Sequence, residues 1–352
     1  FSSDGMLTTD ISGSDDFASH VGVQTDGDIV AIGSAYGGAS EYDFALARYN
    51  PDGSFDTTFS SDGMLTTDFG GDDTAHDGVI QPDGKIAAGG DSDDGSRTDF
   101  ALARYDTNGS LDTTFSGDGE QTTFFGEDSG LSGLVQQPDG KLVGAGFADL
   151  LGGQFFALAR YNVDGSLDTT FSGDGQQTTD FGGSYDSALD VTIEADGKLV
   201  AGGSADNGSD TDFALARYNA DGSLDPHFSG DGKQTTDFGA NDGARAVATQ
   251  PNGRIVLVGD SDPGSDDDIA IARYLDIFPP DTTIDTGPTG TISTDQATFT
   301  FSGGPASDTS RIQCQIDEKP FHDCVSPKTF SGLSDGPHTV SFRAEDADGN
   351  QD

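Results

Sequence analysis

The strongest constraint on this chain is a repeat. The stretch Asp212-Phe213-Ala214-Leu215-Ala216-Arg217-Tyr218-Asn219-Ala220-Asp221-Gly222-Ser223-Leu224-Asp225 recurs with Arg48, Arg104, Arg160 and Arg273 in the Arg217 place, and these arginines stand 56, 56, 57 and 56 residues apart. A fixed period of this length marks a supersecondary unit that cannot bury its apolar face alone and needs stacked neighbours. Composition says which kind of unit. Gly is frequent at 51 residues, Trp is absent, and short Phe-bearing runs alternate with Gly, Asp, Asn and Ser. That is the pattern of short strands and tight turns, not of helices.

Each copy reads as four strands. In the second they are expected at Met64–Phe69, Ala75–Gln81, Lys85–Gly90 and Asp99–Tyr105. Pro82-Asp83-Gly84 is a hairpin signal that returns as Pro138-Asp139-Gly140 and Pro251-Asn252-Gly253. Four antiparallel strands per copy make a propeller blade, and radial repetition protects the sheet edges. A stacked solenoid is less favoured because it needs distinct capping repeats, and the first and last copies look ordinary. The expected fold is therefore all-β: a five-bladed β-propeller of four-stranded antiparallel blades over residues 1–276. The fifth copy (Ala244–Gln250, Arg254–Asp260, Asp268–Tyr274) has no fourth strand after it, so the N-terminal strand Met6–Ile11 is expected to close the last blade. The chain begins in mid-motif at Phe1-Ser2-Ser3-Asp4-Gly5, which reads as a mature or trimmed chain.

Charge narrows the partners. With 62 acidic against 16 basic side chains the net charge is −46, which opposes nucleic acid and anionic membranes. No apolar run is long enough to span a bilayer, so no membrane insertion is expected. The acidity suits a solubility device in salty or calcium-rich surroundings, with cationic partners as the sharper alternative. The five repeated arginines lie in apolar strands, where a charge must be paired. One structural Arg–carboxylate bridge per blade is expected for Arg48, Arg104, Arg160, Arg217 and Arg273. The repeated acids nearby are Asp56, Asp112, Asp168 and Asp225, plus Asp68, Asp180 and Asp237.

The unit Phe-Ala-Leu-Ala-Arg-Tyr-Asn-x-Asp-Gly-Ser-Leu-Asp-x-x-Phe-Ser-Gly-Asp-Gly, followed by Gln-Pro-Asp-Gly-Lys, resembles the bacterial delta-60 repeat from Phe1 to about Tyr274. That resemblance implies a secreted or surface-attached propeller with no common activity, and carries over no catalytic residue. After Pro279-Pro280, a linker at residues 277–281, strands are expected at Gln296–Phe301, Arg311–Ile316 and His338–Ala344. Residues 282–352 are similar to the Ig-like β-sandwich modules of actinobacterial surface proteins, through Ala297-Thr298-Phe299-Thr300-Phe301, Cys314-Gln315-Ile316-Asp317, Cys324-Val325-Ser326-Pro327-Lys328-Thr329 and Asp335-Gly336-Pro337-His338-Thr339. In that pattern Cys314 and Cys324 form a disulfide, which implies an oxidising compartment. Such modules continue past Asp346–Asn350 into a last strand, whereas this chain stops at Asp352. Truncation accounts for that, and so does an open edge filled by another chain in self-association.

Calcium is the expected ligand, if there is one. Asp91, Asp93 and Asp99 flank a Gly bend in the second copy, Asp260, Asp262 and Asp268 do so in the fifth, and Asp206, Asp210 and Asp212 stand in the fourth. Carboxylates two apart beside a Gly bend can converge on a hard cation, though a solvated acidic loop explains them equally. The turns Asn50/Asp52/Asp56, Asp106/Asn108/Asp112, Asn162/Asp164/Asp168 and Asn219/Asp221/Asp225 resemble half a calcium loop. No distal Glu follows them, and hairpin chemistry suffices. An enzyme must use residues that break the repeat. One inner-strand place holds His20, Asp77, Gly133, Asp190 and Ala246, and Asp77 with Asp190 is a carboxylate pair of the glycosidase sort if it faces a channel. Polar residues beside a wet channel are the plainer account. The function expected from the sequence is non-catalytic binding, adhesion or structural work at a bacterial cell surface, against an extracellular protein or glycan surface. The alternative is a glycan-processing enzyme or lectin using the central channel.

Overall fold

The computed structural model describes residues 1, 4–37, 41–250, 253–262, 266–275, 281–304, 309–345 and 351, and its regular structure is entirely β. Four antiparallel four-stranded sheets come first. They are β1 (Asp16–Val23), β2 (Ile29–Tyr36), β3 (Tyr42–Tyr49) and β4 (Met64–Thr67); β5 (Asp72–Ile80), β6 (Ile86–Asp93), β7 (Thr98–Tyr105) and β8 (Glu120–Thr123); β9 (Ser129–Gln136), β10 (Leu142–Leu150), β11 (Gly153–Tyr161) and β12 (Gln176–Thr179); and β13 (Asp186–Ile193), β14 (Leu199–Asp206), β15 (Thr211–Tyr218) and β16 (Lys233–Thr236). The fifth sheet has three strands, β17 (Asn241–Thr249), β18 (Ile255–Asp262) and β19 (Asp268–Tyr274). Within each sheet the strands follow chain order, as in a propeller blade. The Pro-Asp-Gly turn works as its residues require: Gly84 takes φ 86°, and its N–H bonds the Gln81 carbonyl at 2.9 Å. The turn residues Pro251 and Asn252 lie outside the described residues.

Successive sheets are joined in one repeated way. The third-strand tyrosine reaches back to the outer strand of the preceding sheet, so Tyr105, Tyr161, Tyr218 and Tyr274 bond Thr67, Thr123, Thr179 and Thr236 at 2.7–2.8 Å. Phe44, Phe100, Phe156 and Phe213 are fully buried in these joints. Where β1, β5, β9, β13 and β17 pair with the following strand the register shifts by a bulge. Opposite it stands Gly33, Gly90, Gly146, Gly203 or Gly259, where a Cβ would lie 1.9–2.0 Å from a carbonyl oxygen of the neighbouring strand. Only glycine fits there.

The two ends of the array differ from its middle. Val21 is 63% exposed, whereas Leu134, Val191 and Val247 at its place are only 3%, 2% and 7% exposed. Ile269 and Ile271 are 84% and 61% exposed, where Phe213 and Leu215 are at 0%. The expected closure of the last blade by Met6–Ile11 is not what the structure has: that segment forms no strand, and among the described residues the fifth sheet is three-stranded. Its Thr9 touches the first sheet instead. Thr9 Oγ1 lies 2.6 Å from Tyr49 Oη, the same contact that Thr67 makes with Tyr105.

The C-terminal strands are β20 (Asp281–Thr286), β21 (Gln296–Gly304), β22 (Arg311–Ile316), β23 (His322–Cys324), β24 (Lys328–Ser331) and β25 (Val340–Glu345). They form two three-stranded sheets, β20-β21-β24 and β23-β22-β25. Phe342 of the second meets Phe299 and Phe301 of the first, ring centroids 5.7 and 4.3 Å apart, so the sheets face each other across an aromatic core. Cys314 and Cys324 are disulfide-bonded across β22 and β23 with Cα atoms 5.8 Å apart. Of the expected linker 277–281, residues 277–280 lie outside the described residues, as does the turn Asp346–Asn350, and Asp281 opens β20.

Candidate functional site

The repeated arginine is a clamp between sheets. Arg104 Nε donates to Asp112 Oδ2 at 2.7 Å, Nη1 to the Val163 carbonyl in the next copy at 2.6 Å, and Nη2 to Thr114 Oγ1 at 3.2 Å. Its guanidinium carbon sits 4.6 Å from the centroid of the Phe115 ring, and Lys85 Nζ reaches the same Asp112 oxygen at 2.8 Å. Arg48 with Asp56, Arg160 with Asp168 and Arg217 with Asp225 repeat the Nε bond at 2.7, 2.7 and 2.9 Å. Asp68, Asp180 and Asp237 take no part in these clamps. Arg273 is exposed and makes no ion pair among the described residues, because the repeat that supplies the acid ends at Leu275.

These clamps set an acid limit on stability. Burial raises the carboxyl pKa values of Asp112 and Asp168, but bonds from Lys85 or Lys141, from a threonine two residues on, and from the buried arginine outweigh it and hold both groups well below the usual carboxylate range. A carboxyl with a depressed folded pKa contributes stability that is present above its unfolded value near 3.9 and is lost as pH falls through the folded value. The melting temperature is therefore expected to fall steeply below about pH 4. Circular-dichroism melts across that window check it. A flat profile down to about pH 2 would refute it.

The inner-strand residues do come together at the axis, but as fasteners. Asp77 Oδ2 accepts the Leu134 N–H of the next sheet at 2.6 Å, while Oδ1 accepts the Gly78 N–H at 2.8 Å and lies 2.6 Å from His20 Nδ1. Asp190 repeats this two sheets on, with the Val247 N–H on Oδ2 and the Val191 N–H on Oδ1, both at 2.8 Å. Burial, reinforced by the Asp77 charge, raises the Asp190 pKa against those two bonds and His20. At Gly133 a Cβ would stand 2.9 Å from the Asp190 Cα, so the axis there is filled by backbone. Ala246 takes the same place in the fifth sheet and brings no polar group.

Among the described residues, most acids of the loops are engaged with neighbours of their own. Asp91 pairs with His76 Nε2 at 2.6 Å, Asp93 caps the Gly95 N–H at 2.8 Å, and Asp99 pairs with Arg97 at 3.0 Å. Asp206 accepts the Ser184 hydroxyl at 2.7 Å, and Asp210 accepts the Asn207 amide at 2.6 Å. Asp260 pairs with Arg245 at 2.6 Å, Asp262 ends β18, and Asp268 is exposed at the start of β19. Gly264 and Ser265 of that loop lie outside the described residues. The Asn-x-Asp-Gly-Ser turns are hairpin chemistry: Asp52 Oδ1 accepts the Ser54 N–H and hydroxyl at 2.9 and 2.7 Å.

What the structure does gather is a different set of acids. The carboxylate oxygens of Asp212, Asp237 and Asp242 lie within 4.8 Å of one another, and so do those of Asp43, Asp68 and Asp73. The first member opens a third strand, the second follows an outer strand, and the third opens the next sheet. Asp73 and Asp242 are 0% and 1% exposed, and their Oδ1 atoms, like that of Asp212, have no hydrogen-bond partner among the described residues. Burial pushes the Asp73 carboxyl up to about 6, against the pull of the Ser92 hydroxyl and the Phe69 N–H. Loop spacing found Asp212 but not its companions. The signal was in the repeat: each set has its members 25 and 5 residues apart.

Residues 24–59, 81–115, 137–171 and 194–228 match the family described as a domain of unknown function (DUF5122) beta-propeller. Those four repeats and the sheets built on them make this part of the chain a β-propeller segment. No curated protein matches the chain in sequence. Among solved structures it is similar to the acylaminoacyl peptidase of Pyrococcus horikoshii, at 13% identity and a TM-score of 0.37 over 84% of this chain and 44% of that one. It is also similar to an endo-arabinase from Bacteroides thetaiotaomicron (12% identity, TM-score 0.38, 76% of this chain and 98% of that one) and to the polysaccharide lyase Uly1 (11%, 0.41, 95% and 88%). The chain thus spans less than half the length of the peptidase. No activity is transferred at these values. No helix among the described residues is long and apolar enough to cross a membrane.

Proposed function

We propose that this chain is a non-catalytic binding or structural protein of a bacterial cell surface or extracellular assembly, a five-bladed propeller followed by an Ig-like module. One observation carries the non-catalytic reading. Asp77 and Asp190, the two carboxylates an enzyme would need at the axis, commit both oxygens to main-chain N–H groups, one of them in the next sheet. A general acid or base must reach a substrate proton within hydrogen-bond distance, and these oxygens are already engaged in holding sheets together. The disulfide supports an oxidising compartment, and the resemblance to surface-attached repeats supports a bacterial exterior. The strongly acidic surface fits a partner that is cationic or a neutral glycan.

The purified chain is tested on a panel of polysaccharides and aryl glycosides, alongside Asp77→Asn and Asp190→Asn. No turnover is expected from any of the three, and both variants are expected to melt lower than the parent because an amide can accept only one of the two main-chain bonds at these half-buried joints. Turnover that is lost in Asp77→Asn or Asp190→Asn without loss of fold would install the glycan-processing reading instead.

A further inference from the structure

We propose that Asp212, Asp237 and Asp242 hold a calcium ion at the joint of the fourth and fifth sheets, and that Asp43, Asp68 and Asp73 form a second such site at the joint of the first and second. Each set brings three carboxylates within 4.8 Å, and no lysine or arginine among the described residues pairs with any of them. Part of the carboxylate capacity is used by the fold. Phe238 N–H bonds Asp242 Oδ2 at 2.6 Å, Gly239 N–H bonds Asp237 Oδ1 at 2.5 Å, and Asn207 bonds Asp212 Oδ2 at 3.1 Å. The Oδ1 atoms of Asp212 and Asp242 are left buried with no hydrogen-bond partner among the described residues. A buried carboxylate oxygen without a donor is costly, and two of them beside a third carboxylate call for a cation. An all-oxygen anionic set suits calcium, which takes roughly six to eight oxygens and fills the remainder with water or carbonyls.

The joint between the second and third sheets supplies an internal control. There the three places hold Asp99, Phe124 and Ser129, so one acid remains. The chain brings its own cation: Arg97 pairs with Asp99 at 3.0 Å and lies 4.4 Å over the Phe124 ring. Where the acids are complete, no such side chain is provided. At these three joints the position takes positive charge, covalently attached at one and from solution at two; at the joint of the third and fourth sheets Phe155 stands in the first place beside Asp180 and Asp186, so the set is incomplete although Asp186 Oδ1 is buried without a partner among the described residues.

The proposal stands apart from the functional reading above, and it is tested by binding. The full chain, stripped with chelator, is titrated with calcium chloride by calorimetry and melted with and without the ion. Two binding events and a rise in melting temperature of a few degrees are expected. Asp237 and Asp68 are exposed, so Asp237→Asn and Asp68→Asn leave the folded core intact. Each is expected to weaken one event by roughly tenfold or more, and the double variant to abolish the thermal shift. Asp210→Asn, in the acidic loop, is expected to behave as the parent. Absence of binding at millimolar calcium would overturn the proposal, as would binding and thermal shift unchanged in the double variant.

Discussion

Asp112→Ala is expected to destabilise the protein by about 3–5 kcal/mol, because it strips the buried Arg104 of its counter-ion and leaves Lys85 with Asp106 alone. Arg104 and Lys85 both end on Asp112 Oδ2, and Arg104 is only 4% exposed. Removing the acid leaves a guanidinium that cannot reach water without breaking its bond to the Val163 carbonyl across the joint. Chemical denaturation of the variant measures the loss, with Asp164→Ala as a comparison. Asp164 is exposed and caps only its own turn at Ser166, so about 1 kcal/mol is expected there. Equal costs for the two would mean that the clamp is geometry without energetic weight.

Gly146→Ala is expected to be as severe, for a reason that involves no charge. The added methyl would sit 1.9 Å from the Gly130 carbonyl oxygen, a backbone atom that cannot swing aside. Either the bulge between β9 and β10 is lost or the strands part, and more than about 3 kcal/mol is expected. Since a slipped register turns a strand's core face outward, soluble yield is expected to drop with the melting temperature. Gly304→Ala, where nothing lies within 4 Å of the new methyl, serves as the comparison. A Gly146→Ala protein that melts with the parent would show that the bulge can be remade at little cost.

How much of this could be read beforehand depends on whether a feature repeats. The strand order of each sheet, the turn at Pro82-Asp83-Gly84 and the partners of Arg48, Arg104, Arg160 and Arg217 follow from words that recur in the chain. The bulges do not, because a register shift leaves no trace in an alternating pattern except a glycine on the opposite strand. The axis is legible only in part for a similar reason. Asp77 and Asp190 break the repeat, which admits a functional reading beside the plainer polar one, and the bond each makes to the backbone of the next sheet leaves no mark in the sequence. The acidic joints were missed because their members come from three chain segments belonging to two copies. Loop spacing linked Asp212 to Asp206 and Asp210, its neighbours in sequence, whereas packing links it to Asp237 and Asp242. Of the C-terminal strands, β20, β23 and β24 went unread, since segments as short as His322–Cys324 carry no periodicity to detect.

The uniformity of the joints bears on how such a chain changes over generations. Phe44–Tyr49, Phe100–Tyr105, Phe156–Tyr161 and Phe213–Tyr218 are the same six-residue word, and each meets the same Thr-Tyr contact in its neighbour. A copy gained or lost by unequal recombination between these words would find its new neighbours already shaped to receive it. Each such joint is set by its two sheets alone. Closure of a ring is not, because the first and fifth sheets, where Val21 and Ile269 are exposed, would have to meet at an angle that every added or lost copy changes. Selection on the number of units therefore acts through that closure, while selection on the individual unit acts through every joint at once.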